Sequence, residues 1–230
     1  MKRLVVLGLA LEVFAVSCRT APPLAQHTGT PSPMASASSF APSPPSPRPS
    51  MTGTAPPHFV GSISAIDPME RAAMISSGVW RQGCPVSIER LRLLTVTFWG
   101  FSRSVQTGRL VVNEDVAADV LGVMHRLFDQ RFLIRRMELV DAYGGDDDRS
   151  MAADNSSAFN CRTVAGAPGV WSQHAYGRAI DLNPVENPYV SGSTVLPPSG
   201  ARYADRTLTT PGMVHANDAT VRVFTAAGWG

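Results

Sequence analysis

The folded part of this 230-residue chain predicts an α+β fold, a single domain with a small antiparallel sheet and packed helices. Three observations carry that prediction. Leu94, Val96 and Phe98 alternate with Thr95, Thr97 and Trp99, the period of two of a half-buried strand. Residues 109–112 read as the strand that returns after turn-rich residues 100–108, so the pair is antiparallel. Val116, Val120, Val123, Met124, Leu127 and Phe128 then recur at helical spacing within residues 113–130. Strands and helices do not alternate strictly, which argues against a doubly wound sheet.

The N-terminus precedes that domain with two segments of different character. Met1-Lys2-Arg3 leads into a mostly apolar run, residues 4–16, interrupted by Glu12. Such a run is too short for an ordinary membrane span and has the form of a signal-peptide core, so residues 1–17 are expected to direct export. Ala15-Val16-Ser17 satisfies the small-residue cleavage rule and resembles a bacterial lipobox, with Cys18 as the lipidated residue. Simple cleavage and release is the alternative. Residues 18–57 form the linker: eleven of the nineteen prolines fall between residues 21 and 57, with Arg48 as the only charge there. That composition cannot bury enough apolar surface to offset chain entropy. Extended as polyproline, it would reach on the order of 100 Å.

Residues 58–230 are then the domain, a length that supports one sizeable core. The formal net charge is +2 and no basic run stands out, which gives no support to a nucleic-acid partner. Membrane contact is expected only through the N-terminal anchor, and a monomer is expected. With Cys18 set aside, Cys84 and Cys161 remain, and an even pair in an exported domain is most simply a disulfide. Two buried free thiols are the alternative.

Within the domain, Asp67-Pro68-Met69-Glu70 reads as a helix start, with an N-cap, a first-turn proline and a capping-box glutamate, and Gly78 marks the end. Asn113 can cap the long helix, and Glu114 and Asp115 favour its positive end. His125 is read as a partly exposed helix residue. Residues 137–140 look like another strand, followed by the loop Gly144-Gly145-Asp146-Asp147-Asp148-Arg149. In residues 178–182 the alternation puts Ile180 and Leu182 on one face and Ala179 and Asp181 on the other. Gly177 permits a sharp turn before that strand, so His174 can meet Asp181, an N-plus-O pairing that suits zinc.

The string Ser172-x-His174-x-x-Gly177-x-Ala179-x-Asp181 resembles the signature of the zinc D-alanyl-D-alanine carboxypeptidase family, which shares a fold with the hedgehog signalling domain. The continuation Asn183-Pro184-x-x-Asn187-Pro188-Tyr189 and the upstream run Asp154-Asn155-Ser156-Ser157-Ala158-Phe159-Asn160-Cys161-Arg162 are similar to its carboxypeptidase-like branch. The resemblance implies a Zn2+ cofactor and a peptidoglycan peptide substrate, cut by metal-activated water. It implies His174 and Asp181 as metal ligands and Arg162 as a catalytic anion binder. A plain ion pair between Arg162 and the Asp146–Asp148 loop is the other reading. Ser172, Asp154 and Asn155 are expected to bind substrate, although Ser172 could equally satisfy the turn backbone. Asp147 and Asp148 could anchor a substrate amine or form a solvated acidic loop. Tyr176, Asn187 and Tyr189 are read as packing and loop geometry.

The family's third ligand is a histidine near the C-terminus, after a pattern resembling Gly-Trp-x-Trp-Gly-Gly, with an acidic residue before it as general base. This sequence reaches Ala226-Ala227-Gly228-Trp229-Gly230, so the expectation is a domain whose catalytic tail is missing, with weak activity or none from this chain. An inactive peptidoglycan-binding or scaffold protein is the alternative, and His215 as a replacement ligand is a third reading.

Overall fold

A computed structural model describes residues 3–5, 56–164 and 166–230. Most of the predicted leader core (residues 6–16), Cys18 and nearly all of the proline-rich segment lie outside those residues. The first strand, β1 (Arg3–Val5), precedes them.

In the domain, β2 (Gly61–Ala65), β3 (Leu91–Gly100) and β4 (Val105–Asn113) form an antiparallel sheet in that order. β5 (Leu133–Ile134) pairs in parallel with the end of β3. The β3–β4 register runs from Leu91 opposite Asn113 to Trp99 opposite Val105, so the returning strand starts four residues earlier than the sequence predicts. Gly108 is one reason: it belongs to the strand, where a Cβ would lie 2.6 Å from Met137.

Each face of this sheet has its own core. Leu94, Val96, Phe98, Leu110 and Val112 pack with the apolar stripe of a long helix, with Ile180 and Leu182, and with Phe224 and Trp229. Leu91, Leu93 and Val111 face the other way, against Met74, Val79, Ile88, Leu139, Phe159 and Cys161. The alternation along β3 and β4 thus feeds two layers, one on each side.

The helix α1 (Pro68–Ser76) begins where the sequence predicts, with the Glu70 N–H donating to the Asp67 carboxylate at 2.8 Å. The Glu70 carboxylate does not close a capping box. It accepts from Arg109 on β4 at 2.6 Å, tying the helix to the sheet. The long helix α2 (Ala117–Asp129) buries Val120, Val123, Met124, Leu127 and Phe128, with Val116 buried just before it. Asn113 does not cap it. It remains the last residue of β4, and its side-chain amide donates to the Tyr176 carbonyl.

Residues 137–140 do not form a strand. The Arg109 N–H on β4 donates to the Met137 carbonyl, but the Asn155 side chain occupies the position a next strand would take. Its oxygen accepts from the Glu138 N–H at 2.8 Å and its amide donates to the Glu138 carbonyl at 3.0 Å. One side-chain amide therefore replaces a ladder rung.

The remaining elements build out from β4. Asp146 caps the short helix α3 (Asp147–Ala152). β6 (Thr163–Val164) and β7 (Ala167–Trp171) form a hairpin with a register shift. β8 (Ala179–Asp181) follows and pairs in parallel with β1. β9 (Tyr189–Ser191) and β10 (Thr194–Leu196) make a second hairpin. Asp218 caps the last helix, α4 (Ala219–Ala226), by accepting from the Val221 N–H. Among the described residues, no helix is long and apolar enough to cross a membrane.

Candidate metal centre

The outer edge of β4 is the mount for the site. The Phe159 N–H donates to the Val111 carbonyl and the Asn113 N–H donates to the Gly177 carbonyl, both at 3.0 Å. The first bond fixes the segment around Ala158, and the second fixes the turn after His174. Gly177 has φ +64°, and a Cβ on it would lie 2.6 Å from the Asn113 nitrogen. Only glycine fits both the left-handed backbone and that approach.

His174 lies in a one-turn 3-10 helix, Gln173–Tyr176, and Ser172 Oγ accepts its N–H at 3.3 Å. Its carbonyl accepts from the Asn160 N–H. The imidazole Nδ1 is 2.6 Å from the Ala158 carbonyl oxygen. A carbonyl can only accept, so Nδ1 carries the proton and Nε2 is left to face the site. Ser157 and Asp181 exchange two backbone hydrogen bonds, at 2.9 and 3.1 Å, which places Asp181 beside that ring. The β8 alternation does the rest: Ile180 goes into the core and Asp181 faces outward to a cavity.

His174 Nε2 and Asp181 Oδ2 stand 3.4 Å apart. Two ligands of one tetrahedral zinc, with bonds near 2.0–2.2 Å, are separated by about 3.4 Å, so the pair fits two corners of such a centre. Both residues are buried, at 4% and 9% exposure, where a charge needs a partner. Burial pulls the His174 imidazole down, and the Asp181 carboxylate outweighs it and holds the ring above the usual histidine range. Among the described residues, no further His, Cys, Asp or Glu joins them in a group of three. His215 does not line the cavity, and its N–H donates to Asp218 at 2.8 Å.

The cavity over the pair has a volume of about 460 Å³. Arg162, Ser172, Gln173, Asp147 and Asp148 supply its polar lining. Met151, Val164, Tyr189 and Leu196 supply the apolar part. Arg162 is in the cavity wall and also paired with Asp147, at 2.8 Å, so both readings of this arginine describe the same side chain. Asn160 donates to the other Asp147 oxygen at 3.3 Å. The Arg162 charge pushes His174 down and the Asp147 charge pushes it up. Ser172 both accepts the turn N–H and lines the cavity, which leaves its own hydrogen free to donate.

Asp154 and Asn155, expected to bind substrate, do not line the cavity. Asp154 has φ +57° and is buried. It accepts from the Val185 N–H at 2.9 Å and from Arg135 at 3.3 Å. Arg135, itself half exposed, also donates to Glu186 at 3.2 Å and so bridges two buried carboxylates. Burial, together with the nearby Asp154, pushes the Glu186 carboxyl up to about 7. Tyr189, read from sequence as packing, is instead part of the cavity wall, as is Gln173. Asn187 does hold loop geometry: its amide donates to the Leu182 and Gly212 carbonyls, both at 2.9 Å. A disulfide joins Cys84 to Cys161, next to Arg162, across 77 residues.

A buried imidazole and carboxylate thus stand at the spacing of two ligands of one metal, with an arginine on the wall of the same cavity. Residues 165–230 match the model of a family described as D-alanyl-D-alanine carboxypeptidase. That stretch holds His174 and Asp181, and the match supports a peptidase-type enzyme. Searches of curated proteins and of solved structures give no match.

Proposed function

We propose that this protein is an exported zinc peptidase acting on peptidoglycan stem peptides, cutting a bond that involves a D-amino acid. The observation that carries it is the 3.4 Å pairing of His174 Nε2 with Asp181 Oδ2 at a cavity that Arg162 also lines. His174 and Asp181 would hold the zinc, with a third ligand from outside the described residues. Zinc bound there makes a nucleophile available at neutral pH by acidifying a water, and it polarises the scissile carbonyl.

The chain's own groups do the remaining work. The Ala158 carbonyl holds His174 in the tautomer that presents Nε2. The Arg162 guanidinium supports the developing oxyanion or holds the substrate carboxylate, and Asp147 fixes its orientation. The Ser172 hydroxyl donates to the peptide. At the N-terminus, lipidation of Cys18 and a proline-rich tether would keep the domain near the membrane while it reaches the wall.

The test is zinc-dependent cleavage of stem-peptide analogues, with D-Ala release and L-Ala-D-Glu cleavage followed separately, alongside metal analysis. His174→Ala and Asp181→Asn should reduce cleavage to background and lower retained zinc while the fold persists. Cleavage that survives both substitutions would end the proposal.

A further inference from the structure

We propose that Asp148 is a specificity-determining residue that holds a primary ammonium group of the bound peptide. The inference rests on the peptidase reading of the cavity and adds a subsite to it. Asp147 and Asp148 are neighbours in the first turn of α3, and both line the cavity. Their circumstances differ. Asp147 is fully engaged, with one oxygen on Arg162 at 2.8 Å and the other on Asn160 at 3.3 Å. The Asp148 carboxylate makes neither hydrogen bond nor ion pair among the described residues.

The cavity therefore presents two charges of opposite sign for a ligand. The Arg162 guanidinium lines the cavity with its side chain 30% exposed, and Asp148 offers an unengaged carboxylate. Met151 and Leu196 line the same cavity. An aliphatic stem can lie along such a surface while its ammonium head reaches a carboxylate at the rim. The complementary ligand is a short peptide with a carboxylate and a primary amine. In a stem peptide that amine is either the α-amino group or the side-chain amine of a diamino acid.

The experiment measures calorimetric binding of L-Ala-γ-D-Glu-L-Lys-D-Ala-D-Ala to the zinc-loaded protein. Three further arms use the Nα-acetyl, the Nε-acetyl and the doubly acetylated peptide. An exposed ion pair predicts about a two- to fivefold loss of affinity for the arm that removes the recognised ammonium. Whichever single acetylation has the effect identifies the source of the amine. Asp148→Asn should weaken the unmodified peptide by the same factor and leave the doubly acetylated peptide unchanged, and Asp148→Glu should recover part of the loss. If Asp148→Asn binds all four peptides as the unaltered protein does, the subsite is overturned and the peptidase reading stands. If none of the four binds, both fall.

Discussion

On one side of His174 the contacts are made by main chain: the Ala158 carbonyl on the ring, the Asn160 N–H on its carbonyl, and the Gly177 carbonyl on β4. On the other side two hairpins, β6–β7 and β9–β10, contribute to the cavity wall, and Val164, Val170 and Tyr189 stand 42%, 55% and 39% exposed. Under the function proposed above, the difference separates two tasks. Holding a metal needs donor positions set to within a few tenths of an ångström, which a hydrogen-bonded strand edge provides. Accommodating a peptide needs side chains that can be exchanged without disturbing the core, which exposed hairpins provide.

The largest effect should come from unfastening the framed side. Replacing Cys84 and Cys161 with serine should cost about 4 kcal/mol of stability, since the bridge closes a loop of 77 residues. Denaturant unfolding measures it, and a loss under 1 kcal/mol would mean that β4 alone holds the segment beside Arg162. Gly177→Ala comes next. The added Cβ would meet the Asn113 nitrogen at 2.6 Å in a left-handed backbone, so about 2–3 kcal/mol should be lost, together with zinc retention. Normal zinc content in that variant would show that the turn can shift without moving the imidazole.

A pH scan sharpens the comparison through a carboxylate that does not line the cavity. Glu186 is raised from 4.5 to about 7 by burial and by Asp154, with Arg135 opposing. A raised acid means that the folded state keeps a proton that the unfolded state releases. The associated stability is complete below about pH 4.5 and is lost as pH rises through about 7. Over that window the protein should lose roughly 2–3 kcal/mol that Glu186→Gln does not lose. Parallel stability curves for the two proteins would contradict the raised Glu186 carboxyl. The smallest effect belongs to the open side. Tyr189→Ala should change stability by no more than about 0.5 kcal/mol, and its effect should appear in KM for a stem peptide rather than in melting.

What could be read from sequence follows the same division. His174, Gly177 and Asp181 announce themselves, because a period of two and a glycine before a strand fix which residues face together. The core on the α2 face was legible for a similar reason, since β3 and α2 carry strong periodicity, whereas the second core on the opposite face departs from the single core and half-buried strand expected from sequence. Ala158 and Asn160 contribute a carbonyl and an N–H, and main-chain groups leave no mark on residue type. Asp154 and Asn155 sit buried and away from the cavity, and sequence gives no sign of it, since a polar residue buried to satisfy backbone looks like one that meets a substrate. Asn155 standing in for a strand also explains why residues 137–140, β-like in composition, do not form one. Tyr189 gave no signal either, as an aromatic in a short hairpin reads the same whether it faces a core or a cavity.

The double exchange of hydrogen bonds between Ser157 and Asp181 bears on how such a centre can evolve. Because those bonds run between peptide groups, the side chain at 157 could change in successive lineages while the carboxylate stayed in register. A centre mounted in this way can outlast most of the lettering around it, so a common ancestry would survive in a few short strings of residues.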